Sequence, residues 1–366
     1  MARTVKLTID GRSVEVEGGT TVLQAAQQAG VFVPTLCADP ALRSFGACRL
    51  CIVEIESLRG LPTACTTPVS EGMRVRTTSP QIENERRMIV ELLLSDHPSD
   101  CLTCVKNTRC ELQTVAAYVG VHERRIRGER RAYDVDNSNP FYGRDLEKCI
   151  LCGKCVRACD ELQARQAIHF GYRGFATKIT TLYDMPLWDS TCESCGRCVD
   201  MCPTAALFDK AWLTSGLPTS ETRSICSYCG VGCGLVLETR SGRVISVRGD
   251  RDNPTNRGHT CVKGRFGHGY IHSPDRLTHP LIRRSLAERL GLSGPASPLN
   301  DRFIETDWET ALDLVAETLA TVRRQSGPEA LAFVTSAKCT NEENYLIQKL
   351  ARGVVGTHNI DHCARL

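Results

Sequence analysis

The sequence lacks most features of membrane, secreted or nucleic-acid-binding proteins. No apolar run approaches the roughly 18 residues that span a bilayer. The first residues have neither an apolar signal core nor a twin-Arg signal, so we expect a cytoplasmic protein that begins with a strand. The net charge of +3 gives no reason to expect nucleic acid or a membrane surface as a partner. Aromatic residues make up only 5% of the chain, so aromatic packing cannot organise most of the interior.

The residue present in excess is cysteine, with 21 in 366 residues. In a cytosolic chain, so many cysteines indicate metal sites and not disulfides. All but Cys339 and Cys363 fall into groups with metal-ligand spacing. Because the apolar content of 42% is ordinary, we expect much of the interior to be organised around these groups.

The most specific pattern is a repeated run of four cysteines. The spacing C-x2-C-x2-C-x3-C occurs at residues 149–159 and again at residues 192–202. In two-cluster ferredoxins the fourth cysteine of each run binds the other cluster. The run therefore predicts two [4Fe-4S] clusters, one on Cys149, Cys152, Cys155 and Cys202, the other on Cys159, Cys192, Cys195 and Cys198. Zinc is the alternative, although it prefers two separated pairs around one ion. Asp160 departs from the pattern, because proline usually stands there.

The first 79 residues have the pattern of a β-grasp ferredoxin. Alternating residues at 3–9, an Asp10-Gly11 turn and a return strand form a hairpin. Thr20 or Thr21 can cap a short helix, and a further strand is expected at 50–55. The predicted [2Fe-2S] ligands are Cys37, Cys48, Cys51 and Cys65. Their spacing differs from the plant-type pattern, and a zinc site or reduced core thiols are the alternatives.

A second module is predicted at 80–120. Ser79 caps a helix that runs to about Ser95. Its expected apolar face consists of Met88, Ile89, Leu92 and Leu93. One imidazole and three thiols follow and form a four-ligand set of His97, Cys101, Cys104 and Cys110. Spacing alone fits zinc as well as [4Fe-4S], and the neighbouring cysteine groups favour the cluster. Alternatively, His97 is only a helix-end residue beside Pro98.

The segments around the tandem module are less specific. The basic run at 121–131 indicates either a solvated face or a docking surface for an acidic partner subunit. Linkers are predicted at 137–142 and 214–221.

A further four-cysteine set follows the second linker. Its members are Cys226, Cys229, Cys233 and Cys261, which predict another [4Fe-4S] cluster. Between the third and fourth cysteines, alternating segments joined by Ser241-Gly242 predict a supporting hairpin. Lys263 follows the last ligand by two residues. It is either a surface lysine or a cation between the cluster and a neighbouring redox centre.

From residue 276 the pattern is that of an α/β domain. Asp307 can cap a helix, a buried strand is expected at 331–335, and Thr340 opens a capping box. The expected apolar stripe of the first helix is Ala311, Leu312, Val315, Ala316 and Leu319. The segment 356–366 is expected to be a loop. One strand with two or three helices cannot cover both faces of a parallel sheet, so we expect this domain to be incomplete.

Together, these motifs resemble the N-terminal part of the catalytic subunit of cytoplasmic, NAD-linked, molybdenum- or tungsten-dependent formate dehydrogenases. Residues 340–345 and 359–366 resemble that branch most closely, and the Cys226 set with Lys263 and Gly264 resembles the cluster domain of bis-molybdopterin enzymes. The first 210 residues are equally similar to the large iron–sulfur subunit of respiratory NADH dehydrogenase and to iron-only hydrogenases. The cluster set after residue 210 disfavours a hydrogenase.

The resemblance implies a multidomain α+β iron–sulfur protein with one [2Fe-2S] and four [4Fe-4S] clusters. The full-length protein would also hold a molybdenum or tungsten bis-molybdopterin guanine dinucleotide. Formate would be oxidised to CO2, and electrons would pass Lys263 and the clusters toward a flavin- and NAD-binding iron–sulfur subunit of a hetero-oligomer. The expected domains are 1–79, 80–120, 139–210, 220–275 and 276–366.

The resemblance also places the metal ligand, a selenocysteine or cysteine, immediately after Leu366. We therefore expect these 366 residues alone to lack formate dehydrogenase activity while still binding clusters. The alternative function is a non-catalytic electron-transfer subunit similar to the large iron–sulfur subunit of NADH-quinone oxidoreductase.

Overall fold

The computed structural model describes residues 4–363, which fall into two units that divide between Pro218 and Thr219. Both units combine short strands with helices, which confirms the expected multidomain α+β class. Among the described residues, none of the helices is both long and apolar enough to cross a membrane.

The first unit begins with a four-stranded sheet and one helix. Its elements are β1 (Thr4–Ile9), β2 (Arg12–Glu17), α1 (Val22–Gln28), β3 (Glu54–Ile55) and β4 (Arg74–Arg76). The strand order is β2-β1-β4-β3, with β1 and β4 parallel. As predicted, Asp10 and Gly11 adopt the positive φ angles of a tight hairpin turn, and Thr21 caps α1 in a capping box. The strand expected at 50–55 is shortened to β3, because the cysteine-containing loop takes up residues 50–53.

The next elements are α2 (Pro80–Asp96) and α3 (Glu111–Tyr118). Ser79 caps α2 by accepting a hydrogen bond from the Ile82 amide, as the sequence predicts. The predicted apolar face is wrong in part, since Met88 and Leu92 are exposed. The fully buried stripe contains Ile82, Arg86 and Val90 at successive helical turns. An arginine in this stripe interrupts the apolar pattern that would reveal it.

The tandem module follows. Its elements are β5 (Tyr142–Arg144), α4 (Lys154–Arg157), β6 (His169–Gly171), β7 (Lys178–Thr180), α5 (Arg197–Met201), β8 (Leu207–Asp209) and α6 (Ala211–Ser215). Antiparallel pairs form between β5 and β8 and between β6 and β7. The linker predicted at 137–142 is wrong at its end, because Asn139 and Tyr142 are each 1% exposed and Tyr142 belongs to β5. Their polar groups have partners inside the module, which lets them be buried.

The second unit opens with a three-stranded antiparallel sheet. It consists of β9 (Ser220–Ile225), β10 (Gly234–Arg240) and β11 (Arg243–Gly249), and the short helix α7 (Val262–Phe266) follows. The predicted hairpin is present as β10 and β11 with its turn at Ser241 and Gly242. The linker predicted at 214–221 is too long, because Ser220 and Glu221 pair with β10.

The last elements are short strands and longer helices. They are β12 (Leu281–Arg283), α8 (Arg284–Arg289), β13 (Phe303–Glu305), α9 (Trp308–Ser326), β14 (Phe333–Ser336), α10 (Asn341–Lys349) and β15 (Ile360–Cys363). Asp307 caps α9 and Thr340 forms the predicted capping box of α10. The stripe of α9 is not buried: Leu312 and Val315 are more than half exposed.

The final segment differs from the predicted loop. Residues 360–363 form β15, which pairs in parallel with β14. Parallel pairing supplies partners for backbone groups that a loop would leave to water. The position expected to carry the metal ligand, directly after Leu366, lies outside the described residues.

Candidate iron–sulfur sites

The four cysteines of the N-terminal module meet in one buried place. Cys37, Cys48, Cys51 and Cys65 are all buried. The amide of Leu36 donates to Cys48 Sγ, and the amide of Cys48 donates to Cys37 Sγ, each at 3.4 Å. Backbone N–H groups aimed at sulfur favour thiolates, the form that binds iron.

The thiols of this set also bond to one another. Hydrogen bonds from Cys48 and Cys65 lower the pKa of Cys37 to about 2. A hydrogen bond with Cys37 raises the pKa of Cys48. Hydrogen bonds with Cys37 and Cys51 raise the pKa of Cys65. Four adjacent thiols cannot all ionise without a compensating cation. A [2Fe-2S] cluster supplies that positive charge, so this donor set fits the predicted group.

The His97 set lies between the end of α2 and the start of α3. A cavity of about 390 Å³ is lined by all four predicted ligands, His97, Cys101, Cys104 and Cys110. Burial lowers the pKa of His97 to about 4, so its imidazole is neutral and able to bind a metal at neutral pH. Burial raises the pKa of Cys104 and Cys110. His97 is also the C-cap residue of α2, so its role as a ligand stays a prediction.

The eight cysteines of the tandem module line a single, largely apolar cavity. Burial raises the pKa of Cys149 to about 11 and that of Cys152 to about 12, and Cys202 contributes to both shifts. The Cys159 thiol, whose pKa is raised by burial, is influenced by Cys192. Cys202 therefore lies near Cys149 and Cys152, and Cys159 lies near Cys192, as the crossed ligand assignment requires. The assignment itself remains a prediction.

The sequence repeat is also a structural repeat. Leu151 and Ser194, each two residues after the first cysteine of its run, have φ angles of 54° and 55°. Their amides donate to Cys149 Sγ and Cys192 Sγ, both at 3.4 Å. Asp160, in place of the usual proline, lies in a π-helical turn, Ala158–Leu162. The two runs thus hold their first cysteines with the same local backbone and differ around the fourth.

Three of the sites share one apolar core. Cys37 and Cys48 of the first set, Cys110 of the second and Cys152 of the tandem module belong to the same cluster of buried residues. Polar contacts between the modules reinforce this packing. Arg131 pairs with Asp96 and donates to the Cys149 carbonyl at 2.9 Å.

Other basic side chains make similar links between modules. Lys106 donates to the Cys202 carbonyl, and Arg157 donates to the Cys37 carbonyl. Sequence reasoning did not identify these residues, or Arg86 and Tyr142. Their partners are backbone carbonyls or a sulfur distant in sequence, which leaves no local signal.

The basic run at 121–131 is partly engaged within the first unit. Arg125 pairs with Glu91, and Arg124 donates to the His97 carbonyl. Arg127 and Arg130 are exposed. The exposed residues of the run form a solvated face. Docking of an acidic partner subunit stays a prediction.

The set in the second unit surrounds a cavity of about 450 Å³, which Cys226, Cys229, Cys233 and Cys261 all line. Burial raises the pKa of Cys226 and Cys233. The positive charge of Lys263, an exposed residue of α7, opposes the rise at Cys226. A Cβ atom on Gly264 would lie only 3.2 Å from Cys226 Sγ, so glycine lets α7 approach this sulfur.

A larger polar cavity of about 630 Å³ lies beside this set. It is lined by Cys229, by Ser336 and Asp361 of β14 and β15, and by Asn341 and Arg352. A cavity beside parallel strands is a usual place for a ligand in α/β folds. Arginine and amide side chains suit phosphate and heterocycle groups, so the lining is compatible with a pterin dinucleotide.

Within residues 4–363, no group of three or more His, Cys, Asp or Glu side chains is placed to hold a metal ion. The thiols of the first predicted set instead hydrogen-bond to one another, and the cysteines of the other sets line cavities.

Family models match almost the whole chain. They are a 2Fe-2S iron-sulfur cluster binding domain at 2–80, an NADH-ubiquinone oxidoreductase-G iron-sulfur binding region at 86–125, a 4Fe-4S dicluster domain at 148–206, a molybdopterin oxidoreductase Fe4S4 domain at 219–273 and a molybdopterin oxidoreductase domain at 276–366.

Curated relatives match over nearly all of the chain. An NADPH-Fe(3+) oxidoreductase subunit alpha of Geobacter sulfurreducens is 38% identical over 99% of the chain and 40% of its own length. An NADH-quinone oxidoreductase subunit of Rhizobium meliloti is 36% identical, with the same coverage. A Staphylococcus aureus protein provisionally named a formate dehydrogenase is 30% identical over 98% of the chain and 39% of its length. The chain spans about 40% of these relatives.

A solved structure also matches. A chain in a crystal structure of NAD+-reducing [NiFe]-hydrogenase in the H2-reduced state is 32% identical, with a TM-score of 0.54. The match covers 57% of this chain and 88% of that one.

Proposed function

Because this chain belongs to the iron–sulfur and molybdopterin oxidoreductases, we propose that it carries electrons from formate through five clusters toward a flavin- and NAD-binding partner. Electron transfer by an oxidoreductase is the common element of its relatives. Formate is the substrate that the loop resemblance and the Staphylococcus relative support. When bound, a molybdenum or tungsten bis-molybdopterin guanine dinucleotide supplies the two-electron oxidation of formate to CO2 and a proton.

The observation that carries the proposal is the shared core of three cluster sites. The predicted ligands Cys48, Cys110 and Cys152 come from three different sets and pack in one buried group. Electron transfer between clusters depends steeply on separation, so sites that share a core suit sequential transfer. Isolated structural clusters would have no need of a common core.

The residues of the chain have distinct roles in this proposal. Nineteen cysteines and His97 would hold one [2Fe-2S] and four [4Fe-4S] clusters. Imidazole in place of thiolate at His97 should raise the potential of that cluster. Lys263 would place a positive charge beside the Cys226 set, at the end that receives electrons.

Reduction of the clusters by different donors tests the proposal. In the purified complex that contains the full-length protein, formate alone should bleach the visible iron–sulfur absorption and produce the spectra of reduced clusters. A matched sample with acetate should stay oxidised. No reduction by formate, with rapid reduction by NADH or NADPH, would contradict formate as the substrate.

A second candidate is a non-catalytic electron-transfer subunit. The identities of 36% to an NADH-quinone oxidoreductase subunit and 32% to a chain of an NAD+-reducing hydrogenase favour it. In that case NADH or NADPH should reduce the clusters, and the complex should contain neither molybdenum nor tungsten. Metal analysis of the complex therefore separates the two candidates.

The remaining expectations stay predictions. They are the cytoplasmic location, the hetero-oligomer, the domain bounds, the selenocysteine or cysteine after Leu366, and the lack of formate oxidation by these 366 residues alone. Similarity to subunits of larger enzymes supports a multisubunit complex. Native mass measurement of the complex would identify the flavin- and NAD-binding partner.

A further inference from the structure

A buried tyrosine hydroxyl contacts a cysteine sulfur of the tandem module. Tyr142 is 1% exposed, and its hydroxyl oxygen lies 2.9 Å from Cys192 Sγ. Cys192 belongs to the predicted [4Fe-4S] set that also contains Cys159, Cys195 and Cys198. A sulfur bound to iron carries no proton, so in the loaded protein the tyrosine O–H donates and the sulfur accepts.

We propose that Tyr142 is a positioning residue that raises the reduction potential of the cluster held by Cys192. The inference rests on the proposed iron–sulfur function. Reduction adds negative charge to a cluster, and a hydrogen bond to a ligand sulfur stabilises that charge. The tyrosine is buried and Cys192 is half-buried, so the electrostatic effect of the bond is larger than at a fully exposed site.

The internal repeat provides a comparison within the same module. The matching backbone bonds from Leu151 to Cys149 and from Ser194 to Cys192 have equal lengths of 3.4 Å. Of the Cys149 and Cys192 sulfurs, only that of Cys192 also accepts from a side-chain hydroxyl among the described residues, and this donor is Tyr142. The sulfurs of Cys149 and Cys192 therefore have different hydrogen-bond donors, although the two runs have the same cysteine spacing.

The set that contains Cys149 also has a hydroxyl nearby, but its proton is directed elsewhere. Thr204 Oγ1 lies 3.8 Å from Cys202 Sγ. The same hydroxyl donates to the Lys148 carbonyl at 2.7 Å. Because a threonine has one hydroxyl proton, this contact does not offset the bond from Tyr142.

The surroundings hold Tyr142 in place. Asn139 accepts hydrogen bonds from the backbone amides of Phe141 and Tyr142 and donates to Ser194 Oγ at 2.8 Å. Ser194 in turn donates its amide to Cys192 Sγ. The strand that carries the tyrosine and the turn that carries the cysteine are thus joined. Removal of the hydroxyl from this buried position should leave a gap smaller than a water molecule, so the lost donor is not replaced.

The test is a redox titration of the full chain loaded anaerobically with iron and sulfide, followed by electron paramagnetic resonance. Tyr142→Phe should lower the midpoint potential of one [4Fe-4S] cluster and leave the other potentials unchanged. Tyr172→Phe is the matched control, because it removes a hydroxyl from the same module that donates to the Asp184 carboxylate and not to a cysteine. This control should move no potential.

A second variant is needed in case Tyr142→Phe fails to bind the cluster. Incorporation of 3-fluorotyrosine at position 142 strengthens the hydroxyl donor and should raise the same potential. Unchanged potentials with normal iron and sulfide content, in Tyr142→Phe or in the fluorotyrosine protein, would overturn the role of Tyr142. A wild type that takes up no iron and sulfide would instead contradict the proposed function itself.

Discussion

Replacement of Arg86 by methionine should destabilise the junction between the N-terminal sheet and α2. The guanidinium is 2% exposed and donates to the carbonyl oxygens of Leu50 at 2.9 Å and Ile52 at 2.8 Å. These two residues flank Cys51, a predicted ligand of the [2Fe-2S] cluster. Arg86 therefore fixes the loop that carries Cys51 onto α2, the helix that His97 follows.

The magnitude follows from the two bonds. A hydrogen bond from a charged donor contributes about 1.5–3 kcal/mol, and a buried carbonyl left without its donor costs about 1–3 kcal/mol. Burial of the charge carries its own penalty, which lowers the pKa of Arg86 and which methionine would relieve. We expect a net loss of about 3 kcal/mol, which in a unit of this size lowers the Tm by roughly 6–12 °C.

Thermal unfolding of the loaded protein, followed by visible absorption, measures this loss. Arg86→Lys is the matched control, because it keeps the charge but lacks the planar guanidinium that donates to both carbonyls. Its Tm should lie between those of the wild type and Arg86→Met. The [2Fe-2S] signal should disappear at a lower temperature than the [4Fe-4S] signals in Arg86→Met. An unchanged Tm would refute the reasoning.

Three further changes test individual sites. Gly264→Ala places a Cβ 3.2 Å from Cys226 Sγ, so this set should release iron about tenfold faster in air; an equal rate would contradict the close approach. His97→Cys exchanges an imidazole whose pKa is lowered to about 4 by burial for a thiol that must lose a proton to bind iron. On acidification from pH 7 to 5, iron affinity at that site should fall about 100-fold more in the variant than in the wild type; parallel pH profiles would argue against ligation. Arg131→Met removes the partner of Asp96 and a donor to the Cys149 carbonyl, so unfolding in urea should require about 3 kcal/mol less. Addition of Asp96→Asn should recover part of that loss, and additive losses would count against a direct pair.

The local elements were predictable because their signals lie close together in sequence. The Asp10-Gly11 turn and the caps at Ser79 and Thr340 each depend on residues within three or four positions. The short cysteine runs can be recognised for a similar reason, although Cys37, Cys65 and Cys261 lie outside such runs and the ligand roles stay predictions. All five predicted sets lie in buried groups or along cavities.

The errors occurred where distant partners decide the structure. Arg86 is polar, yet it is buried because two carbonyls 36 and 34 residues away accept its donors. The linker predicted at 137–142 includes Tyr142, yet this residue pairs with β8 and contacts a sulfur 50 residues away. Residues 360–363 have no strand pattern of their own and become β15 by pairing with β14. Sequence periodicity carries no information about such partners.

The apolar stripe of α9 was predicted as buried and is not. Its periodicity is that of an amphipathic helix, and Asp307 caps it as expected. The pattern therefore identifies the helix correctly, but the burial of its apolar side depends on packing that the described residues do not supply.

The central claim is that this chain holds five clusters for electron transfer. The most direct measurement is quantitative iron and sulfide analysis of the loaded chain, combined with a reductive titration followed by electron paramagnetic resonance. We expect about 18 iron atoms per chain, and one [2Fe-2S] and four [4Fe-4S] signals that reduce in separate one-electron steps. A colourless protein with stoichiometric zinc, or clusters that no reductant reduces, would contradict a role in electron transfer.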